Sequence, residues 1–170
     1  TLDITAAGLR EGDYKIVVNI PYYLTSRLIR DIFEKWPKPK SIIFMLQKEV
    51  AQRITALPPD MSLLGISVQY YSKPEIISYV SRGSFYPMPK VDSAIVKLES
   101  RTENQESKIE DIKFFKMVKA GFAGKRKQLV NNLARNLNLS KNTVESKLLS
   151  LEINPKRRAE TLTIEEWRKI

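Results

Sequence analysis

The sequence predicts an α/β fold in which a sheet domain is followed by a small all-α domain. Two short apolar runs alternate with two amphipathic helical patterns near the start, an order typical of a parallel, doubly wound sheet. Two further strand patterns are joined by a loop, and beyond a polar stretch only helical patterns remain. We therefore predict a sheet domain at 1–100, a linker at 101–108 and a helical domain at 109–170.

The first half of the predicted sheet consists of two strands, each followed by a helix. The β-branched run at 14–20 predicts a strand buried on both faces, and the run at 41–46 predicts a second buried strand. The pattern at 26–36 predicts an amphipathic helix, and a second one is predicted at 47–57, before two prolines. The apolar stripe of the first helix consists of Leu28, Ile29, Ile32, Phe33 and Trp36.

The rest of the sheet is predicted from a third helix and two strands. Residues 62–71 fit either a helix or a strand, and the tight turn before them favours a helix. The runs at 75–81 and 93–100 predict strands. Because a single loop joins these two strands, an antiparallel pair is the simplest arrangement.

Four helices are predicted beyond the linker. Ser140 and Thr163 are predicted N-caps, and Glu166 completes a capping box with Thr163. The predicted helices are 109–123, 126–137, 140–151 and 163–170. One face of the first of them carries Ile109, Ile112, Phe115, Val118, Lys119 and Phe122.

Composition excludes several kinds of chemistry and favours a polyanionic partner. The chain has no Cys and no His, which removes disulfides, thiolate chemistry, imidazole bases and most zinc sites, and we expect no metal. The net charge of +10 is uneven: residues 1–100 hold 13 Lys and Arg against 10 Asp and Glu, and residues 101–170 hold 16 against 9. This clustering favours RNA or DNA over a merely solubilising surface.

Targeting and cofactor signals are both missing. No apolar run approaches the roughly 18 to 20 residues of a membrane span, and the start lacks a signal peptide, so we expect a cytoplasmic protein without membrane contact. Separately, we expect the protein to be a monomer. The six glycines never form the G-x-G turn typical of nucleotide-binding sheets. Either this unit binds no nucleotide cofactor, or its first half lies outside the chain.

The first candidate site, "NIPYY", follows the first predicted strand. Open α/β sheets bind ligands at the carboxyl ends of their parallel strands. The Asn19 amide oxygen and the backbone carbonyl of Ile20 or Pro21 can both accept from one exocyclic NH₂ group, which aims the nitrogen lone pair outward without a general base. Tyr22 offers a stacking face, worth about 1–3 kcal/mol per base. The alternative is a simple turn that buries its tyrosines.

The second candidate site is the stretch "SFYPMPKVDSAIVKL". Pro87 and Pro89 stiffen this loop, so that Phe85 and Tyr86 sit on a rigid arm. Lys90 adds a cation suited to a phosphate. The alternative is a hydrophobic plug that closes the hairpin.

Together these motifs make the chain similar to a known family. "NIPYYLTS", "FMLQKEVAQRI", "FYPMPKVDSAIVKL", "GFAGKRKQLVNNL" and "RRAETLTIEEW" follow the order and spacing of the ribosomal RNA adenine N6,N6-dimethyltransferases (the KsgA family). The resemblance runs from about Leu2 to Ile170 and rests most on the selective F-x-P-x-P-K-V-D-S loop. It implies the carboxyl-terminal half of a Rossmann-like methyltransferase sheet, S-adenosyl-L-methionine as methyl donor and a flipped-out adenine as acceptor.

The resemblance also implies roles for individual residues. Asn19 and Pro21 match positions that bind the adenine amine, and Asn19 also lies beside the donor. Tyr22 matches the ring that stacks on the base, and Phe85 matches the aromatic that closes over its other face. Tyr23 is at a variable position. Because the donor-binding motifs of the family lie upstream of Thr1, we expect that this chain alone does not methylate.

Lys90 and two clusters of basic residues predict a surface that binds RNA. We assign RNA binding to Lys90, Lys125, Arg126, Lys127, Arg157 and Arg158, with Lys156 beside the last two. The alternative is a solvated helix face, the usual meaning of a charge run.

The implied activity is dimethylation of two adjacent adenines near the 3′ end of 16S rRNA, with the pre-30S subunit as partner and a role in small-subunit biogenesis. One alternative is the sister group that methylates 23S rRNA and confers macrolide resistance. Another is a non-catalytic RNA-binding assembly factor. A DNA adenine methyltransferase is a weaker alternative, because those enzymes usually carry a different loop.

Overall fold

The chain divides into two compact units in the computed structural model, which describes residues 8–19, 21, 25–101 and 108–170. The first unit takes the described residues of Thr1–Thr55 and Val68–Asn104, and the second takes those of Ala56–Ser67 and Gln105–Ile170. Most of the stretch that we predicted as a linker lies outside the described residues. Nothing in this division tests the domain limits that we predicted.

The first unit contains a four-stranded mixed sheet. Its strands are β1 (Lys15–Asn19), β2 (Ser41–Gln47), β3 (Ser72–Val80) and β4 (Ser93–Ser100), in the spatial order β1-β2-β4-β3. β1 and β2 are parallel, whereas β4 runs antiparallel to β2 and to β3. The predicted parallel and antiparallel pairs are therefore both confirmed, and β4 has the predicted bounds. The carboxyl ends of β1, β2 and β3 and the start of β4 lie at one edge.

Three helices accompany the strands: α1 (Thr25–Lys35), α2 (Lys48–Thr55) and α3 (Leu63–Tyr71). The choice of a helix for α3 is thereby confirmed. In α1 the predicted stripe points inward, with Ile29, Ile32 and Phe33 buried and Leu28 and Trp36 half-buried. The Phe33 ring stacks on that of Tyr71, with centroids 5.1 Å apart. The sheet contributes its own fully buried side chains, Ile42, Phe44, Leu46, Val96 and Leu98.

The burial that we predicted for the first strand is wrong. Val17 is 75% exposed, and Ile16 and Val18 are only half-buried. The reason is position in the sheet: within the described residues β1 is an edge strand, paired only with β2. The central strand β2 has the buried pattern that both runs suggested.

The second unit is built mainly from helices: α4 (Lys108–Phe122), α5 (Leu129–Leu137), α6 (Lys141–Ser150) and α7 (Ile164–Lys169). Its core includes Val118, Leu129, Leu133, Leu148 and Trp167. Both predicted caps are confirmed: the Ser140 hydroxyl accepts from the Thr143 N–H, and Thr163 forms a capping box with Glu166. Every helix that we predicted beyond the linker is present.

Two details of the helical prediction are wrong. Helix α5 begins at Leu129 rather than at 126, because the preceding residues form a turn. On α4, Ile109 and Ile112 are about two-thirds exposed, and the buried face is instead formed by Phe114, Val118 and Gly121. Within the part of the chain that the structure describes, no helix has both the length and the apolar character needed to cross a membrane.

Candidate functional site

A pocket of about 350 Å³ lies in the first unit, at the sheet edge where β1 ends and β4 begins. This volume is within the range of small-molecule sites. Residues from the end of β1, from β2 and from the loop before β4 surround it. The lining residues are Asn19, Pro21, Met45, Phe85, Tyr86, Pro87 and Pro89.

Asn19 reaches the pocket because it is the last residue of β1. It pairs in register with Met45 of the parallel strand β2, so that the two side chains reach the same end of the sheet. Asn19 is exposed, as a hydrogen-bonding group at a ligand site must be. Pro21 is also exposed beside it. Ile20, Tyr22 and Tyr23 lie outside the described residues.

The loop that joins β3 to β4 is tied down by Asp92. The Asp92 carboxylate accepts a hydrogen bond of 3.0 Å from the backbone N–H of Arg82, which begins a short 3₁₀ turn. The Asp92 carbonyl accepts another, also of 3.0 Å, from the backbone N–H of Lys48, the first residue of α2. One residue therefore closes the loop and fastens it to the neighbouring helix.

This loop presents two aromatic residues in different environments. Phe85 is half-buried and lines the pocket, whereas Tyr86 lines it while remaining 102% exposed. The peptide bond between Tyr86 and Pro87 is cis. Lys90 is exposed in the same loop, and its carbonyl accepts a long hydrogen bond of 3.5 Å from the Arg82 guanidinium.

The chemistry of the lining suits a neutral, planar ligand. Among the described lining residues, none carries a charge at neutral pH, and the polar side chains are one amide and one phenol. Prolines, a methionine and a phenylalanine supply apolar faces. Across the described residues there is also no group of three or more His, Cys, Asp or Glu that could hold a metal ion. Such a lining can accommodate an uncharged aromatic ring that carries hydrogen-bonding groups.

The structure brings together the predicted site residues Asn19, Pro21 and Phe85. From the sequence we missed Met45, which we assigned only to the second strand. The strand pattern indicated Met45 in part, because side chains near the carboxyl ends of neighbouring parallel strands lie at the same edge of the sheet, where ligands bind. Choosing Met45 from its neighbours requires the register, which the sequence does not specify.

The second unit carries a basic turn, Lys125–Lys127, between α4 and α5. All three side chains are exposed. The turn is closed by a 2.9 Å hydrogen bond from the Lys127 N–H to the Gly124 carbonyl. Asn132, only 5% exposed, holds it from inside: its Nδ2 donates to the carbonyls of Gly121 at 2.6 Å and Gly124 at 3.0 Å.

The second basic segment, Lys156–Arg158, lies directly against the start of α5. The Leu129 N–H donates to the Arg157 carbonyl at 2.7 Å, and the Val130 N–H donates to the Pro155 carbonyl at 3.2 Å. These bonds satisfy N–H groups that a helix start otherwise leaves without partners. As a result, two basic segments about thirty residues apart in the sequence meet at one helix end.

Arg157 faces the protein rather than solvent. Its guanidinium bonds both oxygens of Glu166, at 2.5 Å and 3.0 Å, and also the hydroxyl and carbonyl of Thr161. Burial acts to raise the pKa of Glu166, but the hydrogen bonds from Arg157 and from the Thr163 N–H, with the nearby charge of Lys169, outweigh it and leave that pKa lowered.

The predicted cations are therefore not equivalent. Arg157 is committed to an internal ion pair and its side chain is 30% exposed. Arg158 is 54% exposed, with Glu160 at 3.9 Å, and Lys156 is exposed. The accessible positive charge at this helix end consists of the basic turn, Lys156 and Arg158.

The chain thus consists of an open α/β unit with a pocket at its sheet edge and a basic helical unit. Two solved structures share this fold. A dimethyladenosine transferase from Plasmodium falciparum is 26% identical with a TM-score of 0.77, and the match covers 92% of this chain and 65% of that one. The 23S rRNA methyltransferase ErmE is 24% identical with a TM-score of 0.71 over 95% of this chain and 66% of that one, which shows a shared fold alone.

The sequence model of the family described as ribosomal RNA adenine dimethylase matches residues 7–170, and the chain belongs to this family. It is 46% identical to the ribosomal RNA small subunit methyltransferase A of Dehalococcoides mccartyi, over 92% of this chain and 54% of the relative. It is 39% identical to the protein of that name in Bacillus thuringiensis, over 97% and 59%. The chain thus spans little more than half the length of these relatives.

Proposed function

We propose that the chain supplies the base-binding pocket and the RNA-binding surface of an S-adenosyl-L-methionine-dependent methyltransferase. Its substrate is two adjacent adenines near the 3′ end of 16S rRNA, which become N6,N6-dimethyladenines during small-subunit biogenesis. One observation carries the proposal: Asn19 and Pro21 at the end of β1 and Phe85 from the loop before β4, two segments far apart in the sequence, line one uncharged pocket. Family membership and the small-subunit relatives support the choice of substrate.

In the proposed mechanism the pocket residues bind and orient the adenine. In the first methylation the Asn19 side-chain oxygen and the backbone carbonyl of Ile20 or Pro21 accept hydrogen bonds from the two N6 hydrogens, which draws the nitrogen lone pair out of conjugation with the ring and directs it away from both acceptors. Phe85 covers one face of the base, and Tyr22, outside the described residues, is proposed for the other. A flipped-out base needs this kind of enclosure.

The described pocket residues account for only a small part of a binding site for the methyl donor. S-adenosyl-L-methionine, when bound, supplies a methyl group on a positively charged sulfur. In this chain we propose a donor contact for Asn19 alone, because its exposed side chain lies at the strand end and the sequence has no G-x-G turn. Because the described lining is uncharged and offers no general base, the neutral amine nitrogen is the nucleophile, and the proton that N6 loses for each methyl group gained passes to solvent.

The test of this mechanism is a chimera in which the chain replaces the matching segment of the Dehalococcoides relative. The assay is methylation of 30S particles that lack the modification, read by primer extension, since N6-dimethylation blocks base pairing. We expect stops on 16S rRNA, and a rate at least about 100-fold lower for Asn19→Ala, in the range found for removal of one preorganised hydrogen-bonding group. Phe85→Ala should lose activity and Phe85→Tyr should retain most of it.

The other outcomes separate the rival functions. Stops on 23S rRNA would assign the chain to the large-subunit sister group. Binding of 30S particles without methylation would identify a non-catalytic assembly factor. Full activity of Asn19→Ala would refute the amine-binding role of this residue.

The RNA-binding role of the basic turn is tested on the chain itself. Replacing Lys125, Arg126 and Lys127 with Ala should weaken binding to a small-subunit rRNA fragment and flatten its dependence on salt, by up to about 0.7–0.9 in logarithmic slope for each phosphate that the variant no longer neutralises. A matched control replaces the exposed Lys113, Lys141 and Lys147 of α4 and α6, which removes the same charge. Equal effects of the two triple variants would show that only net charge matters.

A further inference from the structure

The loop that carries Phe85 ends in an exposed apolar tip. Tyr86 is 102% exposed, Met88 is 63% exposed and Val91 is 42% exposed. A tyrosine ring presents a large apolar area, and several exposed apolar side chains in one loop point to a binding surface. Tyr86 is also part of the pocket lining, so this fully exposed residue lies at the pocket mouth.

The loop is held in shape by its own residues. Pro87 and Pro89 restrict the backbone around the tip, and Asp92 closes the loop on Arg82 and on α2. A preformed aromatic surface binds with little ordering cost, because few torsions have to be frozen. Tyr86 is therefore exposed on a loop whose backbone is already fixed.

Two lysines lie in or directly beside the tied loop. Lys90 is exposed within it. Lys48, whose backbone N–H is bonded to Asp92, places its ammonium group 5.4 Å from the centre of the Tyr79 ring. Aromatic faces combined with cations are the usual means of holding single-stranded nucleic acid.

We propose that Tyr86 forms a second base-stacking site, which receives the unpaired base next to the acceptor adenine. The inference rests on the proposed function and extends it from one nucleotide to two. When a base is extruded, its neighbour loses a stacking partner, at a cost of a few kcal/mol. A ring fixed at the pocket mouth can replace that partner, and it stacks on any base.

The experiment compares two ligands, adenosine and the dinucleotide ApA, binding to the full chain. Binding is followed by NMR titration or calorimetry. Tyr86→Ala should remove most of the gain in affinity that the second nucleotide provides over adenosine, about 5- to 150-fold. Tyr86→Phe should restore the gain. The control is Ile77→Ala, which removes an apolar side chain of β3 that is 53% exposed but does not line the pocket.

Phe85→Ala separates failure of the second site from failure of the pocket. Loss of adenosine binding in this variant supports the pocket. If Phe85→Ala loses adenosine while Tyr86→Ala binds ApA like the wild type, the second site is refuted and the proposed function stands. If neither variant affects either ligand, both fail. If Tyr86→Ala weakens the binding of adenosine and of ApA equally, the Tyr86 ring belongs to the first site and the inference is overturned. The inference is also overturned if ApA binding depends on Tyr86 but not on Phe85.

Discussion

Replacing Asn132 with Asp tests how the basic turn is held. Asn132 is buried, and its amide nitrogen bonds the Gly121 carbonyl at 2.6 Å and the Gly124 carbonyl at 3.0 Å. A carboxylate oxygen in the same place meets two carbonyl oxygens and donates to neither. Each buried carbonyl left without its donor costs about 1–3 kcal/mol, and the buried charge adds to this.

We therefore expect Asn132→Asp to lower the free energy of unfolding by about 3–5 kcal/mol, a large share of the total for a small protein. Urea unfolding measures it. The deficit should shrink near about pH 5, because burial raises the pKa of a carboxyl group and the protonated form is neutral. RNA affinity at low salt should also fall, since the turn loses its inner support.

Asn131→Asp is the matched control. It makes the same change of charge one residue earlier in α5, where Asn131 is exposed and bonds only weakly to Gln128 at 3.4 Å. A carboxylate in the first turn of a helix is neutral or stabilising by up to about 1 kcal/mol. Equal urea midpoints for the two variants would refute the claim that Asn132 holds the turn.

Two further predictions concern the helical unit. The pKa of Glu166 is lower in the folded state than in the unfolded state. Its pairing with Arg157 therefore contributes fully to the free energy of unfolding at pH values above the unfolded pKa of about 4.3, and this contribution is lost as the pH falls through the folded pKa. Glu166→Gln should reduce stability at neutral pH by about 1–3 kcal/mol and flatten this acid dependence, as urea titrations at several pH values would show. In Gly121→Ala the new Cβ would lie 2.3 Å from the Trp167 ring, so overpacking of about 1–3 kcal/mol should exceed the helix-propensity gain of about 1 kcal/mol; a raised melting temperature would contradict this.

Much of the fold was predictable because local patterns and tertiary structure agree. The run at 93–100 contains alternating apolar residues and became β4 with those bounds. The proline turn before α3 decided correctly between helix and strand. The burial of β1 was not predictable, because it depends on which strands lie beside it.

The start of α5 shows how tertiary contacts override propensity. Lys and Arg are good helix formers, so the pattern favoured a helix from 126. The carbonyls of Gly121 and Gly124 are instead bonded to Asn132, and the basic residues form a turn. The sequence around these residues does not predict those hydrogen bonds.

The candidate site was predictable to the extent that it lies at strand ends. Asn19 was chosen from the chemistry of a strand end, and Phe85 was chosen from the proline-stiffened loop and the family resemblance; both line the pocket. Met45 required the register of two strands. Where several cations are adjacent in the sequence, the sequence does not predict which side chain turns inward. Only the structure shows that Arg157 pairs with Glu166. The roles of these residues in binding remain predictions.

The helix end where the basic segments meet separates two kinds of residue, with a consequence for protein engineering. Asn132 and Arg157 anchor the backbone through internal bonds, while Lys125, Arg126, Lys127 and Lys156 are exposed. The charge displayed there can therefore be redesigned, one exposed position at a time, on an unchanged scaffold. A library confined to the exposed set would vary affinity for a polyanion with little loss of folded protein.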